Sequence, residues 1–214
     1  MRYIHIYKKL KSVGVTSLIP VFLVWVLLPL CIYWLHTIGY GIDDAFYYAG
    51  NHIVPIGSIW WIVYYFKSYV EDEGREIYYL NGRNKLEETL VLSTVFFLMT
   101  AIVYFVADYF TDSEYMVSLF LQMMVFIYMF GGVCYFLIYL THSTIIPYMA
   151  LIIYMLYSLM LDAAYVFGNY MAYSSVGLWY IDAEFFVCLL PYIAVTVIAY
   201  ILGNVLNDAY CDYY

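Results

Sequence analysis

Charge is what this sequence has least of. Only 11% of its 214 residues are Asp, Glu, Lys or Arg, against about a quarter in an ordinary soluble domain, and 66% are hydrophobic. A soluble fold could not hide that much apolar surface. At about 20 residues per membrane crossing, the length leaves room for six helices and short connections and excludes a nucleotide-binding, protease or kinase domain beside them. Basic residues are scarcer still, with eight in all and none after Lys85. With a net charge of -8, the chain is expected to have no nucleic-acid partner.

Other absences narrow the chemistry. The four cysteines, Cys31, Cys134, Cys188 and Cys211, stand singly, with neither metal-ligand spacing nor a disulfide framework, so they read as small buried hydrophobes. Cys211 is fourth from the end, but Asp212 and Tyr213 are not aliphatic, which argues against prenylation. No small-residue cleavage site follows the first apolar run, as a signal peptide would require. A Gly-rich phosphate loop is missing, so the chain itself is expected to bind no ATP. His5, His36, His52 and His142 lack the paired placement at one depth that a bis-His haem needs, and no metal site or catalytic role is expected.

What is present is apolar and helical in period. The runs predict an all-α integral membrane protein forming one transmembrane domain, with six spans over 16–35, 45–66, 89–107, 115–140, 145–161 and 185–206. Residues 1–14 predict an interfacial amphipathic helix, with Tyr3, Ile6, Tyr7, Leu10 and Val13 on one side and Arg2, His5 and Lys9 on the other. Pro20 and Pro29 fall in the first span, tolerable where neighbouring helices satisfy the carbonyls they free. Gly131-Gly132 in the fourth allows close packing or a bend. Gln122, the one clear amide within a span, reads as packing glue or as a substrate contact. Asp162 either ends the fifth helix or enters the membrane as a functional acid.

The bases form two clusters. Arg2, Lys8, Lys9 and Lys11 precede the first span, and Lys67, Arg75, Arg83 and Lys85 flank the polar segment between the second and third. Placing both in the cytoplasm, with both termini, leaves eight acids and no base outside: Asp43, Asp44, Asp108, Asp112, Glu114, Asp162, Asp182 and Glu184.

Residues 70–85 read VEDEGREIYYLNGRNK. Acids open a short helix at its positive end and Asn81-Gly82 closes it, with Val70, Gly74, Ile77 and Tyr78 on one face. A polar loop holding two spans apart is the plainer alternative. The acidic run, the glycine, the following glutamate with apolar residues, and a basic cluster leading into a third span resemble the membrane subunits of type-2 ABC exporters. The matching positions are Glu71, Glu73, Gly74, Glu76, Ile77, Leu80 and Arg83. Arg75 stands where that family often has threonine, and Asn81-Gly82 where it has a proline-containing turn.

The resemblance implies a coupling helix over 70–85 that docks on a cytoplasmic ABC ATPase subunit. ATP and Mg would be held by that subunit. It also implies pairing with a second permease subunit, identical or related, and a re-entrant element before the last span. Residues 162–184, interrupted by Gly168, Ser174, Ser175 and Gly177 yet rich in Tyr, Phe and Trp, could form that element; a tyrosine-rich disordered outer loop is the alternative. The expected activity is export of an amphipathic peptide, lipid or drug. A non-transporting interaction or immunity protein remains the alternative from another class, and an intramembrane enzyme is a third possibility.

Overall fold

The computed structural model describes residues 14–71, 85–111, 113–160 and 180–211. Among them are six long helical rods and no strand. We number these α1 (Gly14–Thr37), α2 (Ile42–Val70), α3 (Lys85–Thr111), α4 (Met116–Thr141), α5 (Ile145–Met160) and α6 (Ala183–Cys211). Rods α1, α3, α4 and α6 are long and apolar enough to cross a membrane. α2 is not in that group although it has 29 residues, because Tyr, Trp, Gly, Asn and His dilute its hydropathy. With 16 residues, α5 rises roughly 24 Å at about 1.5 Å per residue, less than the hydrocarbon core of about 30 Å.

Most rods outrun the expected runs. Val70 is the last residue of α2 and Lys85 the first described residue of α3, and both are buried, so these two end positions of the expected coupling helix lie in long rods. The physical reason is that a helix continues while packing supports it, past the point where composition turns polar. The predicted interfacial helix over 1–14 (apart from Gly14), residues 72–84, and the re-entrant segment up to Trp179 lie outside the described residues.

Side-chain contacts fix which rod ends lie together. At one end, the Glu71 carboxylate accepts hydrogen bonds from the turn between α4 and α5, and Lys85 lies over Tyr69. At the other, Ser113 donates to Asp43 and Tyr115 packs against Tyr180. The rods therefore alternate in direction, with Lys67 and Lys85 at what we term the basic end. Asp43, Asp44, Glu114, Asp182 and Glu184 mark the acidic end.

α1 is irregular for a reason visible in its prolines. Its first turn, Gly14–Leu18, has the tighter 3-10 pitch, and Leu23–Leu27 is a π-turn whose closing bond runs from Leu28 N–H to the Leu23 carbonyl, just ahead of Pro29. Pro20 has no N–H to donate. In α geometry the carbonyl deprived is that of Thr16, and in 3-10 geometry that of Ser17. The indole N–H groups of Trp60 and Trp61 on α2 donate to these two carbonyls, at 3.1 and 2.8 Å.

α4 forms the centre and packs against α2, α3, α5 and α6. Its glycines let the partners close in. A Cβ at Gly132 would lie 3.0 Å from the Tyr200 ring and 3.3 Å from the Thr196 carbonyl of α6. Across the same seam, a Cβ on Gly203 would lie 2.5 Å from the Tyr135 ring and 3.2 Å from Phe136 Cα. The backbones of α4 and α6 thus meet through reciprocal glycines, the small-residue contact that brings apolar helices together where the hydrophobic effect does not distinguish partner from solvent. Around this seam lie Phe66, Phe126, Phe130, Cys134, Tyr135 and Tyr139, all buried.

Candidate functional site

Two polar clusters lie at the basic end. Glu71, the first residue after α2, accepts at Oε1 from the Thr144 amide (2.6 Å), the Thr144 hydroxyl (2.8 Å) and the Ser143 hydroxyl (3.4 Å). Partial burial works against the Glu71 charge, but the Thr144 bonds, Lys67 and Ser143 outweigh it, so the carboxyl titrates below its ordinary value. The turn it grips is itself constrained, since His142 sits at φ 51°, in the left-handed region.

A second cluster lies at the other root of residues 72–84. Lys85 is 1% exposed, with its Nζ 3.8 Å from the centre of the Tyr69 ring and 3.7 Å from Glu88 Oε2, one helical turn along α3. The Tyr65 ring lies 5.8 Å from that of Tyr69. A lysine can be buried this deeply only where an acid and an aromatic face replace water. Glu71 is thus tied to the α4–α5 turn, and Lys85 to the α2–α3 contact.

Beside Glu71, a cavity of about 260 Å³ opens between α2 and α5, lined by Trp60, Tyr64, Lys67, Glu71, Thr144 and Tyr148 together with Val63 and Ile145. Trp60 stacks on Tyr64 at 4.7 Å and meets Tyr148 edge-on at 5.6 Å. A larger groove of about 410 Å³ lies toward the acidic end, between α1, α2 and α3, and is walled mainly by apolar side chains such as Trp25, Ile32, Phe46 and Val106.

Of the positions expected to matter, Glu71 alone from the coupling motif is described, and it does join two rods. Glu73, Gly74, Glu76, Ile77, Leu80 and Arg83 lie outside the described residues, as does Asp162. Gln122 is fully buried in α4 and lines neither cavity. Among the described residues no group of three His, Cys, Asp or Glu could hold a metal ion. Sequence reasoning passed over the cavity, although Trp60, Tyr64, Lys67 and Glu71 recur at i, i+4, i+7 and i+11, which places them on one face of α2. In comparisons with protein-family models, curated proteins and solved structures, none matches this chain.

Proposed function

We propose that the chain is an integral membrane permease subunit, crossing the cytoplasmic membrane six times with its basic end inward, and that a separate ABC ATPase drives it. The observation that carries this reading is that Glu71 and Lys85, which flank residues 72–84 in sequence, are both held by the rods, Glu71 by the α4–α5 turn and Lys85 by Tyr69 of α2 and Glu88 of α3. A push from below on these two residues would reach several rods together. Two subunits, identical or related, pair around the pathway. ATP and Mg belong to the partner ATPase, and export of an amphipathic molecule follows from the family resemblance. α2 fits this layout despite its modest hydropathy, because its neighbours enclose it.

The test is purification in mild detergent of the chain expressed together with an ABC ATPase subunit from the same cell. The ATPase should co-elute. Gly74→Pro, which costs on the order of 3 kcal/mol of local helix stability, and Glu76→Lys should each abolish co-elution while leaving membrane insertion unchanged. Retention of the ATPase by both variants would overturn the coupling assignment. A chain that co-elutes with a toxin or another membrane protein instead would favour the interaction or immunity reading.

A further inference from the structure

The cavity between α2 and α5 has a chemistry of its own. Along α2, Glu71 lies eleven residues beyond Trp60, roughly 16 Å at about 1.5 Å per residue, so the charged groups form its mouth and the rings its floor. The mouth holds one base and one acid a single helical turn apart, Lys67 and Glu71, with the Thr144 hydroxyl beside them. Glu71 spends Oε1 on the α4–α5 turn, while Oε2 takes no hydrogen bond among the described residues. The floor offers the faces and edges of Trp60, Tyr64 and Tyr148. Ile145 on the rim is exposed, and so are Ile146 and Met149 next to it on α5, so the cavity is continuous with the apolar outer surface.

We propose that this cavity binds the headgroup of a zwitterionic aminophospholipid from the leaflet at the basic end. The phosphate pairs with Lys67 and the ammonium with Glu71 at the mouth, while the acyl chains cover the aromatic floor and leave along α5. A simple anion fits less well, because it would meet the Glu71 carboxylate in the same mouth. A water-soluble zwitterion would leave the aromatic floor and the apolar rim uncovered. The inference requires a bilayer at this surface but not an ATPase, so it stands or falls separately from the transport reading.

Native mass spectrometry of the full chain in mild detergent, incubated with equal amounts of dioleoyl phosphatidylethanolamine and dioleoyl phosphatidylglycerol, tests it. The wild type should retain the ethanolamine lipid about fivefold over the glycerol lipid, the size expected for one partly exposed ion pair. Glu71→Gln keeps an acceptor for Thr144 but removes the charge, and should erase that preference. Lys67→Gln, at an exposed position, should lower retention of both lipids. Free phosphoethanolamine at the same concentration should displace neither lipid. Equal or greater retention of phosphatidylglycerol by the wild type would overturn the proposal whether or not a variant folds. An unchanged preference in both variants would do the same, and so would full displacement by free phosphoethanolamine.

Discussion

α4 and α6 are nearly equal in length, and the most apolar stretch of α6 has a mean hydropathy of 2.5 against 2.0 for that of α4, yet 67% of the α4 stretch is buried against 28% of the α6 stretch. Hydropathy therefore does not rank burial here. What separates the two is the kind of residue. α4 carries Ser118, Gln122 and the Gly131-Gly132 pair among its buried positions, whereas α6 turns Val187, Leu190, Val197, Ile198, Ile201 and Val205 outward. Where α6 meets α4 most closely, Gly203 lies against Tyr135 and Phe136, and Tyr192 and Tyr200 pack on Phe126 and Tyr135. In a surrounding as apolar as the side chains themselves, close approach and hydrogen bonding select the interior.

The sharpest way to break this contrast is to exchange the two kinds of position on α6. Gly203→Leu drives a side chain into Tyr135 and the Phe136 backbone and should cost about 3 kcal/mol or more, since the backbone cannot yield as a side-chain tip does. Val205→Ala, two residues on and 58% exposed, should change stability by less than about 0.5 kcal/mol. Thermal unfolding in detergent reads both, and similar midpoints for the two variants would refute the distinction.

A second experiment asks how a rod with as little burial as α1 is held. Trp61→Phe removes the donor to Ser17 and should cost about 1–2 kcal/mol. In a Pro20→Ala background the restored N–H supplies a local donor, and the same substitution should cost clearly less. An additive double-mutant cycle would mean that the indole acts only by packing.

The smallest effect concerns Glu71. Its carboxyl is depressed in the folded chain, so its contribution is complete above its ordinary value of 4.5 and is lost as pH falls through the lower folded value. The side chain is exposed and screened, which holds the effect below about 1 kcal/mol. Acid unfolding below roughly pH 4 should begin slightly earlier in the wild type than its neutral-pH stability implies. Glu71→Gln should remove that component, and identical acid profiles would show that the contact to Thr144 carries no net charge stabilisation.

The apolar runs made the rods and their order legible, and the confinement of lysine and arginine to two segments anticipated that Lys67 and Lys85 share one end. The glycine pair was legible as a close contact. The burial of Lys85 was not, because a lysine at the edge of an apolar run reads as solvated until Tyr69 and Glu88, sixteen residues before it and three after it, are seen to surround it. The cavity between α2 and α5 depends on the two being neighbours, and no periodicity within either helix states who its neighbour is. Gln122 illustrates the same limit. Its amide marks it as unusual, but only packing places it away from both cavities.

The two indole bonds to α1 bear on how the chain is made. Thr16 and Ser17 precede Trp60 and Trp61 by 44 residues, so α1 leaves the ribosome before its donors exist. At about 5–20 residues per second the interval is roughly 2–9 s. Through that time the carbonyls of Thr16 and Ser17 need water or another donor in place of the indoles. α1 is thus expected to wait at the water-exposed side of the insertion machinery and to enter together with α2, as a hairpin whose second arm completes the first.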